Sequence, residues 1–301
     1  GRRLFGHTVP SELPSKFNMA LRMPIGVAAT ITPWNFPMAI PTWKIFPALV
    51  CGNTVVFKPA SDTPATATAL VEILAEAGVP EGVVNIVHGG GGEVGMALVD
   101  HPDVDLISFT GSTSVGKKIS EIASRTLKRV SLELGGKNAQ IVMDDANLEL
   151  ALEGVLWGAF GTTGQRCTAT SRLIIHEKVY DKLLSMVVDK TKKLRLGNGL
   201  DEKVDVGPCV NENQRKTVDS YVQIGRNEGA KLVTGGKIAS GNGLSKGWFY
   251  EPTVLADVTQ EMRVAKEEIF GPVLSVIKVR SLEEAVTVAN NTTYGLSSSI
   301  Y

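Results

Sequence analysis

From Ile25 onward, β-branched apolar runs alternate with stretches whose apolar residues recur every three or four positions. That alternation is the pattern of a parallel sheet covered by helices on both faces. It predicts strands at Ile25 to Thr32, Thr54 to Phe57, Val83 to Val87 and Asp105 to Phe109. Helices are predicted at Pro37 to Val50, at Ala65 to Glu76 before the stop at Gly78, around Glu93 to Val99, and from about Ser114 to Ala123. The order is that of a doubly wound, Rossmann-like α/β domain. A second α/β series begins near Val130, with extended runs at Ser131 to Leu134 and Gln140 to Met143. Asn147 is placed to cap a helix running through Phe160. A strand at Arg172 to Ile175, helices near Tyr180 to Lys193 and Asn211 to Glu228, and strands near Val273 to Val279 complete the series. The glycine-rich run from Gly235 to Gly247 reads as a surface loop, the residues before Gly26 as a short polar hairpin, and Leu134 to Lys137 as the hinge between two lobes.

Composition narrows the partners. A chain of 301 residues with 43% hydrophobic residues supports more than one core. Its 31 basic and 31 acidic residues cancel, with no basic stripe, so the counterion release that drives nucleic-acid binding has no source. A small molecule is the expected partner. Apolar runs such as Ile45 to Cys51 and Leu173 to Ile175 fall well short of the ~20 residues that span a bilayer, and no membrane span is expected. Cys51, Cys167 and Cys209 include no CxxC pair, which points to reduced thiols and a cytoplasmic setting. His7, His88, His101 and His176 lie far apart without ligand spacing, and no metal site is expected. Gly1 heads neither an apolar signal core nor an Arg/Ser-rich transit segment, so the start reads as cut rather than processed.

Five stretches carry candidate chemistry. In Gly161-Thr162-Thr163-Gly164-Gln165-Arg166-Cys167-Thr168 a cysteine follows a glycine-flanked turn at the end of an amphipathic helix. Such a loop can present a thiol, and Arg166 favours its thiolate form. The plain alternative is a small buried hydrophobe, the reading assigned to Cys51 and Cys209. Leu132-Glu133-Leu134-Gly135-Gly136-Lys137 frames a carboxylate with leucines at a strand end. An apolar frame raises a carboxyl pKa and suits it to general-base work; a solvated strand-edge glutamate is the bland alternative. Thr32-Pro33-Trp34-Asn35-Phe36-Pro37 leads from strand to helix, where the Asn35 amide is either an oxyanion donor or a helix cap. Phe109-Thr110-Gly111-Ser112-Thr113-Ser114-Val115-Gly116 joins a strand to a helix start suited to a pyrophosphate, without the third glycine of GxGxxG. Val56-Phe57-Lys58-Pro59-Ala60-Ser61 ends a strand, where doubly wound folds bind ligands.

Taken in order, PWNFP, FKPAS, FTGS, LELGGK, GQRC and EEIFGPV (Glu267 to Val273) give the chain a specific resemblance to the NAD(P)-dependent aldehyde dehydrogenases, from the hairpin almost to the end. The resemblance implies a partial oligomerisation hairpin at residues 1–25, a cofactor-binding domain at 26–135 and a C-terminally incomplete catalytic domain at 136–301. It implies that Cys167 is the nucleophile, that Asn35 and the Cys167 backbone N–H form the oxyanion hole, and that Glu133 is the general base for thioester hydrolysis. Lys44, on the helix after Asn35, matches a lysine that assists proton relay, although a surface lysine needs no special explanation. Cofactor contacts are implied for Trp34, Lys58, Ser61, Gly111, Ser112, Leu134, Glu268 and Phe270, with Lys58 at the adenosine ribose and Glu268 at the nicotinamide ribose. Serine at position 61, where NAD-specific relatives often carry glutamate, favours NADP over NAD.

The GQRC run is similar to those of ketoglutaric and succinic semialdehyde dehydrogenases, which makes Arg166 a candidate clamp for a substrate carboxylate. Its alternative is an arginine turned aside to a neighbouring acid. A homodimer or homotetramer is implied, and a chain shortened at both ends is expected to expose a sheet edge. Two rival readings stand beside this one. An acylating relative would pass the thioester to coenzyme A, and an inactive or structural relative would keep the fold without the chemistry.

Overall fold

The computed structural model describes residues 1–241 and 243–301 and divides into two compact units, Gly1–Leu134 and Gly135–Tyr301. The first unit begins with an antiparallel hairpin of β1 (His7–Val9) and β2 (Asn18–Ala20). Then follow β3 (Val27–Ile31), α1 (Ala39–Val50), β4 (Thr54–Lys58), α2 (Pro64–Glu76) and β5 (Val84–Ile86). A π turn at Gly91–Gly95 leads into α3 (Met96–Asp100), and β6 (Leu106–Thr110), α4 (Thr113–Ser124) and β7 (Arg129–Glu133) complete the unit. The five-stranded sheet has the order β5-β4-β3-β6-β7 and is parallel throughout, the doubly wound arrangement predicted from the alternation. The chain leaves β3 toward β4 on one side and later returns to β6 on the other, so the topological switch point lies between β3 and β6.

Strand alternation divides this sheet's side chains between two faces. Ala28, Val55 and Phe57 pack under α1 and α2 with Ile45 and Leu70. Ala29, Ile31, Ile107 and Phe109 pack with Ile119 of α4, and Val130, Leu132 and Leu134 of the β7 segment join that second layer.

The second unit contains β8 (Asn138–Val142), α5 (Leu148–Phe160), β9 (Thr170–His176), α6 (Glu177–Thr191) and α7 (Glu212–Asn227). It continues with β10 (Lys231–Thr234), β11 (Thr253–Ala256), α8 (Arg263–Lys266), β12 (Val273–Val279), α9 (Leu282–Asn290) and β13 (Ser298–Ile300). Its six-stranded sheet runs β10-β11-β12-β9-β8-β13, antiparallel only between β10 and β11. Asn147 caps α5 as predicted, its side chain accepting the Leu150 N–H at 3.2 Å.

Several boundaries differ from prediction. Position 38 (Met), rather than Asn35, holds the N-cap site of α1, and it makes no side-chain cap bond. The single strand β12 replaces the strands expected across Val273 to Val279. Of the loop predicted at Gly235 to Gly247, Asn242 lies outside the described residues, while Ala239 is buried and Ile238 bridges Tyr250. No helix among the described residues is long and apolar enough to cross a membrane.

Candidate active site

The loop before Cys167 is shaped by backbone conformations that side chains rarely adopt. Thr162, Thr163 and Gly164 follow α5 with φ of 51°, 60° and 64°. Two threonines in the left-handed region each cost roughly 1–2 kcal/mol, which the surroundings must offset. Thr163 is buried and its hydroxyl donates to Gly207 O at 3.1 Å. Gly164 is required, because a Cβ there would lie 2.3 Å from Gly271 O. Gln165 then fastens the loop: its amide donates to Pro208 O at 3.2 Å and accepts the Val210 N–H at 2.9 Å.

Cys167 itself is half-buried and is fixed through its carbonyl. Asn138, at the start of β8 and 5% exposed, donates Nδ2 to Cys167 O at 2.7 Å and to Ala169 O at 2.9 Å. Its Oδ1 accepts the Ser297 N–H at 3.1 Å. Gly136 passes so close that a Cβ would meet Cys167 O at 2.6 Å. Sequence reasoning missed Asn138, because its bonds to Cys167 and Ala169 reach across 29 and 31 positions and leave no local pattern. The other two thiols separate cleanly. Cys209 is buried and its thiol is pushed up to about 11 by desolvation, whereas Cys51 is exposed and so is not the buried hydrophobe expected.

Arg166 behaves differently from both sequence readings. One terminal guanidinium nitrogen donates to Trp157 O at 2.7 Å and Gly158 O at 3.0 Å, and the group stacks over the Trp157 ring at 4.9 Å. It thereby serves two carbonyls in the last turn of α5 rather than an acid, sharing Trp157 O with the Gly161 N–H. With that nitrogen committed, a paired fork that needs it is closed, and buried Nε keeps an unpartnered N–H. Burial lowers the Arg166 pKa, opposed by Coulomb attraction to Cys167, so the cation and the thiol sense one another.

Glu268 and Phe270 occupy the same unit. Glu268 accepts the Gly136 N–H at 3.0 Å; burial raises its pKa, against the lowering effect of that hydrogen bond and of Lys137. Phe270 has φ of 57°, and the Gln214 amide holds it there by donating to Ile269 O at 3.1 Å and Phe270 O at 2.9 Å. Gly136, Arg166, Glu268 and Phe270 line one small cleft.

The remaining candidates stand at the carboxyl ends of the first unit's parallel strands. Trp34 and Asn35 follow β3, both half-buried. Lys58 ends β4, is 3% exposed and donates Nζ to Pro59 O at 2.6 Å; burial lowers its pKa. Ser61 is exposed, with its hydroxyl donating to Gly89 O at 3.3 Å. Gly111 follows β6, where a Cβ would collide with its own neighbour Phe109 at 2.4 Å. Ser112 caps α4 by accepting the Val115 N–H at 3.4 Å. These loops flank the switch point, where open α/β sheets bind dinucleotides, and they combine a helix start with a lysine and two hydroxyls. The donor set fits a dinucleotide.

Glu133 ends β7 and is exposed. Leu132 and Leu134 do not frame it as expected, because alternation turns both toward the layer that holds α4, where Leu134 packs on Gly116. Glu133 shares the other face with Lys44 of α1, whose Nζ donates to Ser108 Oγ of β6 at 3.1 Å. Lys44 is half-buried rather than a surface lysine. Desolvation pushes its pKa down to about 8, partly opposed by Glu133. Among the described residues, no group of three or more His, Cys, Asp or Glu side chains is gathered as a metal site would be.

Compared with known proteins, the chain matches the aldehyde dehydrogenase family over residues 1–301. It is 45% identical to alpha-ketoglutaric semialdehyde dehydrogenase of Bacillus subtilis over 301 residues, covering 100% of this chain and 62% of that protein. It is 48% identical to 2,5-dioxopentanoate dehydrogenase of Saccharolobus solfataricus over 300 residues, covering 99% and 62%. Betaine aldehyde dehydrogenase of Staphylococcus aureus, solved in complex with NAD+, superposes with a TM-score of 0.97 at 38% identity, covering 98% of this chain and 59% of that one. The chain thus spans about three fifths of the length of these relatives.

Proposed function

Because the chain belongs to the aldehyde dehydrogenase family, we propose that the whole protein oxidises an aldehyde to the carboxylate, with NAD(P) as acceptor and Cys167 as nucleophile. The observation that carries this reading is the Cys167 loop, where three successive left-handed residues and the Asn138 amide fix a half-buried thiol beside a guanidinium. Residues 26–135 then form the cofactor domain and 136–301 the catalytic domain.

In this reading Cys167 Sγ attacks the aldehyde carbon, and the Asn35 amide with the Cys167 backbone N–H holds the resulting oxyanion. The nicotinamide, when bound, supplies the hydride acceptor. Glu133 takes a proton from water as that water attacks the Cys167 thioester, and the thiolate leaves. Exposure of Glu133 keeps it within reach of solvent water, and Lys44, with its pKa pushed down to about 8, can pass the proton onward. A base of this kind favours hydrolysis over transfer to coenzyme A. Lys58, Ser61, Gly111 and Ser112 would hold the adenosine and pyrophosphate end of the cofactor, and Trp34, Leu134, Glu268 and Phe270 the nicotinamide end. Ser61, lacking a carboxylate, favours NADP.

The substrate proposed is a semialdehyde acid, supported by the names of two relatives. Arg166 attracts its carboxylate by charge and through single hydrogen bonds. The exposed apolar side chains Phe5, Phe17, Met19, Leu21 and Met23 on and around the first hairpin support a homo-oligomer, and the lack of a membrane-length helix among the described residues is consistent with a cytoplasmic enzyme.

The test is pre-steady-state kinetics of Glu133→Gln in the whole protein. A burst of reduced cofactor followed by slow turnover is expected. Full steady-state activity would remove Glu133 from the base role.

A further inference from the structure

Lys137 lies immediately before β8, and its side chain is 1% exposed. Its ammonium nitrogen is enclosed and makes no hydrogen bond. A buried ammonium without hydrogen-bond partners has given up its water shell, a costly arrangement that calls for compensating charge.

Its neighbour Arg172, 2% exposed, deepens the imbalance. Arg172 donates Nε and one terminal nitrogen to Lys137 O at 3.0 and 2.6 Å, and reaches Val288 O at 2.9 Å and Ala289 O at 2.8 Å. The three acceptors of these four bonds are neutral carbonyls. Glu267 and Glu268 also sense Lys137. Glu267, however, is engaged by Arg263 at 2.9 Å and by the Tyr221 hydroxyl at 2.7 Å. Glu268 accepts the Gly136 N–H. Lys137 therefore senses one carboxylate, Glu268, that is not already engaged by another cation, while Arg172 meets only carbonyl oxygens.

Against them is a cavity of about 250 Å³ lined by Lys137, Arg172, Thr292, Tyr294, Ser297 and Ser298. Its volume equals that of roughly eight waters. Cationic charge, hydroxyl donors and room for several heavy atoms coincide within one unit.

We propose that this cavity is an anion site in which Lys137 and Arg172 bind a carboxylate. The carboxylate comes from a small free acid or from an acidic side chain of a longer form of this protein, since the relatives extend well beyond the matched length. The proposal is independent of the aldehyde chemistry.

Calorimetric titration of residues 1–301 with sodium acetate at pH 6 and constant ionic strength tests it, with acetamide as the uncharged control. Saturable acetate binding is expected, at least tenfold tighter than acetamide and at least tenfold weaker in Lys137→Met, which removes the charge while keeping the length. Should that variant fail to fold, the wild-type titration repeated at pH 9 serves instead. Burial holds the Lys137 pKa near 7, so acetate binding is expected to fall at least tenfold there. Acetate binding no better than acetamide, or unchanged in Lys137→Met or at pH 9, would overturn the site.

The same titration in a protein of the relatives' length separates the two sources. Retained acetate binding identifies a free acid. Lost binding together with a raised Lys137 pKa by nitrogen NMR identifies an internal carboxylate, and neither result would overturn the proposal for the whole protein.

Discussion

Replacing Asn138 with alanine tests whether the Cys167 loop is held as described. The substitution removes two bonds from Nδ2, to Cys167 O and Ala169 O, and the one that Oδ1 accepts from Ser297 N–H. Asn138 is 5% exposed, so water does not readily replace them. At about 1 kcal/mol net for each bond the loss is about 3 kcal/mol, and more if the stranded carbonyls stay buried. For a unit of this size that corresponds to a fall in Tm of roughly 6–12 °C. Urea unfolding of residues 1–301 reads the loss directly, and alkylation of Cys167 below the transition reads the loop. Asn138→Ala should be destabilised by about 3 kcal/mol and should alkylate at an altered rate, because the Cys167 carbonyl is no longer anchored. Asn138→Asp should be at least as damaging, since it turns an acceptor toward two carbonyls. A loss below about 1 kcal/mol with unchanged alkylation would refute the anchoring role.

Lys44 has a folded pKa of about 8 against an unfolded value of 10.5, so the unfolded chain holds the extra proton between these limits. Stability should therefore rise with pH across that window, and the rise should be smaller in Lys44→Met when unfolding midpoints at pH 7.5 and pH 10 are compared. Ser61→Glu should move cofactor preference from NADP toward NAD, read as the ratio of kcat/KM values; an unchanged NADP value would place the 2′-phosphate elsewhere. Arg166→Met should weaken use of a semialdehyde acid more than use of an uncharged aldehyde of equal length, by several-fold rather than by orders of magnitude, because the guanidinium has only single bonds to offer. Equal losses on both substrates would leave Arg166 as the cap of α5.

The parallel sheet around β3 was legible because its strands are largely apolar runs set between helical patterns, and in the second unit Asn147 marked the start of α5. The elements that escaped are short or lie at sheet edges. β10 and β11 have four residues each, too few for a period to declare itself. α9 was overlooked although Ser281 caps it and accepts the Glu284 N–H at 3.2 Å, a signal that was present in the sequence. The error over Glu133 was one of period. Leucines at the adjacent positions of a strand point away from it, and would frame it only in a different backbone. Thr162 and Thr163 in the left-handed region were invisible for the opposite reason: threonine is disfavoured there, and only the packed context of α5, Gly207 and Gly271 selects that conformation. Asn138 and the carbonyl-bound guanidinium of Arg166 depend on contacts across 29 and 8 to 9 positions, which no local pattern encodes.

The covalent step admits the most direct test. The Glu133→Gln form of the whole protein, mixed with a semialdehyde acid and NADP, is quenched in acid during the slow phase, digested and weighed. The Cys167 peptide should carry one acyl group, heavier than the free thiol by the mass of the product acid less water, and Cys167→Ser should carry none. Acid formation with no adduct, or an adduct on Cys51 or Cys209 instead, would contradict the assignment of Cys167 as the nucleophile.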